Sequence, residues 1–198
     1  MKQFTDLGDF IKDIYQQLGC DDSFSDAISA EYSPKLQLKM LNIDDASNLQ
    51  QPILDIGCGK QGNLVKYLNS LGIDAYGIDI NASTDGKILN IDWFDLPCHS
   101  ETWGTIISHL AFSIHFINHH FRKNGQPDRY AQSYMNFLHS LKKGGCLFYT
   151  PVLPFIEEYL PSPQFNVEIK PIKIESSDFP IKNPIIDMFY SARVEKRK

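Results

Sequence analysis

Three acidic residues and three glycines near the middle of the chain have the types and spacing to hold a ligand. The stretch ILDIGCGKQGNL, residues 53–64, spaces its glycines Gly57-x-Gly59-x-x-Gly62 two positions behind an aspartate, Asp55. Glycines at that spacing permit a tight strand-to-helix turn and bring backbone N–H groups close to a ligand at the helix N-terminus. By itself the spacing is a weak signal and serves more than one ligand. Asp55 narrows the choice. At the carboxyl end of a first strand its carboxylate repels a diphosphate and attracts an ammonium or sulfonium. A second acid, Asp79 in YGIDIN, follows about twenty residues beyond the glycines, where a carboxylate accepts hydrogen bonds from ribose hydroxyls. A third, Asp92 in NIDWFDLP, stands beside Trp93. A carboxylate and an aromatic plane suit the amino group and the face of an adenine, although Trp93 is equally readable as core. The three acids together describe a cationic amino-acid group, a ribose and an adenine.

These side chains need a scaffold, and the pattern around them supplies one. From Pro52 onward short apolar runs alternate with helical patterns. PILDIG reads as a buried strand, NLVKYLNSLG as a helix with Leu64, Val65, Leu68 and Leu71 on one face, and DAYGIDI, KILNI and WGTIISHL as three further strands. The polar stretch NHHFRKNGQPD leads into a helix, RYAQSYMNFLHSLKKGG, whose lysines read as a solvated helix end complementing the dipole. CLFYTPVL is apolar throughout, as expected of a strand covered on both faces. Such alternation predicts an α/β fold, a Rossmann-like doubly wound and mostly parallel sheet. In the tail, Phe165, Val167 and Ile169, then Met188, Tyr190, Ala192 and Val194, recur with period two. That predicts an antiparallel pair at the sheet edge. Residues 1–50 read instead as helices over Phe4–Leu18, Ser23–Tyr32 and beyond Pro34, a helical cap segment ahead of a domain over 51–198.

The 198 residues fit one core-forming domain, with 42% hydrophobic and 22% charged residues. A formal net charge of -5 gives no general attraction to a phosphate backbone, which makes nucleic acid an unlikely partner. The N-terminus resembles neither a signal peptide nor an anchor, and no run approaches the ~18 apolar residues of a membrane span. Cys20, Cys58, Cys98 and Cys146 form no C-x-x-C pair, compatible with a reducing, cytoplasmic setting. Cys58, flanked by glycines, reads as packing and not as a nucleophile.

ILDIGCGKQG, GIDIN, NIDWFDLPCHSETWGTIIS and LKKGGCLFYTP, in that order and spacing, resemble the successive motifs of class I S-adenosylmethionine-dependent methyltransferases over residues 52–155. The resemblance implies a seven-stranded sheet with an antiparallel final strand, and S-adenosyl-L-methionine as cofactor. It further implies that Asp55, Gly57 and Gly59 hold the methionine end, Asp79 the ribose, and Asp92 the adenine. Cys58, Gly62, Ile80, Trp93 and Ser108, which adjoin these positions, complete the expected cofactor-binding set. One position departs from the family pattern: the fourth strand usually opens with an acid after an aromatic, and here Gly104 follows Trp103.

Histidines concentrate after the fourth strand in SHLAFSIHFINHH. His109 lies where the family's motif approaches the transferred methyl group, either as a base or orienting group, or as a pocket wall. His115 is a second catalytic candidate. His115 and His119 stand at i,i+4, but no third ligand follows at recognisable spacing, and no metal is expected. The expected function is methyl transfer to a small molecule. The alternatives are a protein methyltransferase, a nicotinamide-dependent oxidoreductase, and an inactive cofactor-binding protein of the same fold. The loop Ser108-His109-Leu110-Ala111 lacks the Asn/Asp-Pro-Pro-aromatic pattern of nucleic-acid amino methylation. The acceptor and the oligomeric state are not legible.

Overall fold

A computed structural model of the chain describes residues 32–172 and 190–197. Seven strands form one sheet: β1 (Ile53–Ile56), β2 (Ala75–Asp79), β3 (Ile88–Asn90), β4 (Trp103–His109), β5 (Leu141–Thr150), β6 (Phe165–Pro171) and β7 (Tyr190–Lys196). Their order is β3-β2-β1-β4-β5-β7-β6. The first five pair in parallel, and β7 runs antiparallel to both β5 and β6. The order reverses between β1 and β4, and a doubly wound sheet opens a ligand crevice beyond the carboxyl ends of the strands at such a reversal.

The helices are α1 (Pro34–Met40), α2 (Asn63–Ser70), α3 (Phe112–Phe121), α4 (Pro127–Ser140) and α5 (Pro154–Glu157). Ser33 starts α1 by accepting the Leu36 N–H on its Oγ, with Pro34 at the first helical position. One core lies under α1 and α2, where Leu38, Leu41, Leu64, Val65 and Leu68 pack on Ile53 and Ile107. The other lies under α3 and α4, where Phe112, Phe116, Tyr130, Tyr134 and Phe137 pack on Leu54, Ile106 and Tyr149. Opposite faces of β1 and β4 therefore serve two cores, which accounts for their near-continuous burial.

The seven-stranded, mostly parallel sheet and its reversed strand agree with the sequence expectations, and three local readings need correction. The segment HSLKKGG does not end the helix: α4 stops at Ser140, and Leu141 already pairs with Trp103. Between Trp103 and Thr105 the register shifts, so that Thr105 pairs with Cys146 and residues 142–145 bulge out of the ladder, with Gly144 at φ +75°. Lys142 Nζ donates to the Gln51 carbonyl at 3.0 Å, and the Lys143 N–H to Glu101 at 3.1 Å. The stretch after the fourth strand is helical through Phe121, so His119 and His120 belong to α3 and not to a polar loop. β5 ends at Thr150 and does not continue to Leu153, since Pro151 has no N–H for the ladder.

The tail forms the expected hairpin. Phe165, Ala192 and Val194 are buried, while Ile169 and Tyr190 at its far end are exposed. Met188 and the helices expected over Phe4–Leu18 and most of Ser23–Tyr32 lie outside the described residues.

The departure at position 104 has a physical cause. A Cβ on Gly104 would stand 2.3 Å from the carbonyl oxygen of Gln50, and the Gly104 N–H donates to Pro52 O at 3.0 Å. The backbone entering β1 occupies the space that an acidic side chain would need.

Candidate functional site

The glycine turn is built by β1, β2 and α2 together. Gly57 has φ +76°, and a Cβ there would meet the Ala111 Cβ at 2.3 Å, so only glycine lets the β4–α3 loop close against the turn. Gly62, at φ +56°, is the left-handed N-cap of α2. The N–H groups of Gly57 and Cys58 both donate to Ile78 O, at 2.8 and 3.1 Å. The Gly59 N–H donates to Asp79 Oδ2 at 3.0 Å, and the Gly62 N–H to Gly59 O at 3.2 Å. Four backbone donors that a phosphate cradle would turn outward are thus satisfied inside the protein.

The carboxylates differ in how they are supported. Asp79 accepts a second N–H, from Asn81 to Oδ1 at 2.8 Å, so both oxygens are anchored and each has a further lone pair to offer. Asp92 Oδ1 accepts the Phe94 N–H at 3.0 Å, which fixes the carboxylate at the start of its turn. Asp55 is 2% exposed, and among the described residues no donor reaches it. Burial, with the negative charge of Asp79 adding to it, pushes the Asp55 carboxyl up to about 7. A buried carboxylate lacking a donor, beside a second acid, suits a cationic ligand group. These three acceptors thus fit the ammonium, ribose and adenine expected from the sequence.

Ile80, next to Asp79, is 61% exposed at the crevice rim. Trp93 lies against the turn, its Cζ3 3.8 Å from the position of a Gly57 Cβ, and its ring meets Phe112, Phe94 and His115 edge-on. Its indole Nε1 is buried without a partner among the described residues. Cys58 is buried, and burial raises its thiol well above the usual range, in keeping with a packing role. Ser108 has a structural task. Its Oγ donates to Ile56 O at 3.1 Å and accepts the Phe112 N–H at 3.1 Å, tying the end of β1 to the first turn of α3.

The two histidine candidates part company. His115 is exposed on α3, its ring 5.2 Å from Trp93. His109 ends β4 and is 2% exposed, covered by Met40 of α1 and by Tyr32. Burial alone lowers its imidazole to about 3, so it is neutral. A neutral ring of such low basicity orients a partner and is a poor proton acceptor. His119 Nδ1 accepts the Gln126 N–H at 3.2 Å. Among the described residues no group of three or more His, Cys, Asp or Glu side chains could hold a metal ion. The Tyr32 and Met40 cover over His109, and the closure of Ala111 on Gly57, had no signal in the sequence. Both are contacts between distant segments.

The sequence matches no protein-family model and no curated protein. Solved structures do match the fold. The N-methyltransferase NodS from Bradyrhizobium japonicum WM9, solved with S-adenosyl-L-homocysteine, superposes with a TM-score of 0.57 at 13% identity, over 95% of this chain and 98% of that one. The plantazolicin methyltransferase BpumL, also solved with S-adenosyl-L-homocysteine, gives 0.54 at 14% identity, over 96% and 98%. An S-adenosylmethionine-dependent methyltransferase from Mesorhizobium loti gives 0.54 at 14% identity, over 80% and 95%. The chain has the Rossmann-like fold of these methyltransferases.

Proposed function

We propose that this protein transfers a methyl group from S-adenosyl-L-methionine to a small-molecule acceptor. The carrying observation is a buried acid at a glycine turn whose first N–H groups are already spent within the protein. The N–H groups of Gly57, Cys58 and Gly59 are spent on Ile78 O and Asp79, while the buried acid Asp55 stands at the end of β1 beside them. A diphosphate would meet an acid and find the N–H groups of Gly57, Cys58 and Gly59 already spent; an amino-acid ammonium would meet its counter-charge. This disfavours the nicotinamide reading, which leaves Asp55 without a task.

In this reading Asp55 receives the methionine ammonium and Asp79 the ribose hydroxyls. Asp92 takes the adenine amino group, and Ile80 and Trp93 flank the ring. Gly57, Cys58, Gly59 and Gly62 shape the turn, and Ser108 holds the β4–α3 loop against it. When bound, the cofactor supplies a methyl group on a sulfonium, activated for in-line displacement. The protein's share is to align the acceptor and exclude water, which alone accounts for a large part of such a barrier. The cap role read for the N-terminal segment is supported by α1, whose Met40 covers His109. A capped crevice suits a small molecule better than a folded partner. Cys58, Cys98 and Cys146 are unpaired, and no helix of the described residues is long and apolar enough to cross a membrane. Both support a cytoplasmic enzyme.

Calorimetry with S-adenosylmethionine, S-adenosylhomocysteine and NAD tests the assignment. The first two should bind and NAD should not. Tighter binding of NAD overturns it.

A further inference from the structure

His109 carries an unused hydrogen-bonding atom in a place where a ligand would need one. Its Nε2 lies 3.0 Å from the thioether sulfur of Met40, which is fully buried. Sulfur of that kind accepts and cannot donate, so Nε2 bears the ring proton. Nδ1 is then a bare lone pair, and it is buried with no partner among the described residues. A buried acceptor left open is uncommon enough to require an explanation.

Position supplies one. Asp55 and Ile107 are register partners on neighbouring parallel strands, so their side chains share a sheet face, and His109 lies two residues further along β4 on that face. Two residues beyond it, Ala111 touches the glycine turn. Tyr32 closes over the imidazole edge-on, ring centres 5.3 Å apart, and is itself only half-buried. The imidazole therefore lies one aromatic ring below the surface, beside the cofactor crevice, between a thioether and a phenol ring. Among the described residues no charged side chain contributes to its lowered basicity, which comes from burial.

We propose that Nδ1 of His109 receives the O–H or N–H of an uncharged acceptor, so that this site selects neutral hydroxyl or ring N–H substrates over ammonium- or carboxylate-bearing ones. The proposal rests on the methyltransferase reading for the identity of the neighbouring crevice. The tautomer sets the direction of the hydrogen bond: the ligand must be the donor. The surroundings set the charge: Asp55 on the same face is taken by the cofactor's ammonium in this reading, and an ammonium or carboxylate entering beside Met40 and Tyr32 would lose its hydration with no further counter-ion among the described residues.

The test uses the full chain loaded with S-adenosylhomocysteine and labelled with ¹⁵N-histidine, with phenol, benzylamine and benzoate as probes at neutral pH. Phenol should move the His109 Nδ1 resonance saturably and leave Nε2 protonated. Benzylammonium and benzoate should bind at least tenfold more weakly. His109→Phe should keep S-adenosylhomocysteine affinity within about twofold and weaken phenol at least tenfold; His109→Gln, which restores an acceptor oxygen, should recover part of it. An unmoved Nδ1 in the wild type, or phenol binding equally well to His109→Phe, overturns the proposal without any need for a folded Gln variant. If S-adenosylhomocysteine fails to bind the wild type, the methyltransferase reading falls. The phenol titration of the unloaded protein then decides the role of His109 by the same two outcomes.

Discussion

Asp55→Asn should make the unliganded protein more stable and the cofactor complex weaker, and the gain should depend on pH in a defined direction. In the unfolded chain this carboxyl loses its proton near 3.8, and in the folded protein near about 7. Between those values the folded state holds a proton that the unfolded state has released, so stability falls as pH rises through the window. Below it the group is neutral in both states and costs nothing extra. Above about pH 7 the full penalty is present. At about 1.4 kcal/mol per pKa unit, a span of about three units amounts to about 4 kcal/mol. Asparagine is isosteric, cannot ionise and does not repel Asp79, so it escapes this cost. It leaves a buried amide unpaired much as the neutral acid does.

The assay is a pair of thermal melts across pH. For a chain of this size each kcal/mol moves Tm by about 2–4 °C, so the variant should melt roughly 8–16 °C above wild type at pH 8. The difference should shrink toward zero near pH 4. Using the difference between variant and wild type cancels the acid unfolding that every other carboxylate contributes. Affinity for S-adenosylhomocysteine should fall about tenfold to a hundredfold, the loss of a charged hydrogen bond of about 1.5–3 kcal/mol. A variant with no gain at pH 8, a gain independent of pH, or unchanged affinity would refute the account of Asp55.

Gly104→Ala should destabilise the fold by about 1–3 kcal/mol, read as a lower urea midpoint, because its Cβ has nowhere to go except into the backbone at Gln50; an unchanged midpoint would contradict it. Lys196→Met should cost about 1.5–3 kcal/mol at neutral pH. Its ammonium, on a side chain 11% exposed, donates to His139 O at 2.9 Å and Leu141 O at 2.6 Å at the end of α4 and pairs with Glu101 at 3.2 Å. A midpoint equal to wild type would mean water replaces those bonds without loss. Cofactor binding should release close to one proton at pH 6 and almost none at pH 8.5, since an ammonium on Asp55 requires the ionised acid that burial disfavours. Calorimetry in two buffers of different ionisation enthalpy measures that count, and equal heats after buffer correction at pH 6 would deny the pairing.

The parts of this structure legible in the sequence are those governed by local pattern. Ile53–Ile56 reads as a buried strand because four consecutive residues sit between two cores, and the turn after it announces itself through glycines that backbone geometry requires. The hairpin of β6 and β7 is visible as period-two alternation. α3 escaped notice because FSIHFINHHF is apolar around much of its circumference and its last turn carries two histidines, which read as loop. The start of β5 was hidden for a different reason. Lys142, Lys143 and two glycines resemble a helix end, and only the pairing of Leu141 with Trp103 reveals a strand with a bulge. At the site, the acids could be placed by spacing along one chain direction. The cover on His109 could not, since Met40 lies 69 residues before it and nothing local marks the contact.

One sequence fingerprint can therefore serve opposite ligand charges, and what decides is where its N–H groups find acceptors. In this turn Ile78 O draws in two of them and Asp79 a third, so Asp79 acts twice: it consumes a donor that would otherwise attract an anion, and it adds its own negative charge beside Asp55. Three of the turn's donors are spent and two acids stand beside it. The folded protein carries that repulsion, with Asp55 shut away from water, as a cost that the proposed cationic ligand group should remove on binding. Stability and affinity at this site are then two readings of one electrostatic arrangement. A substitution that relaxes the empty site should weaken the filled one.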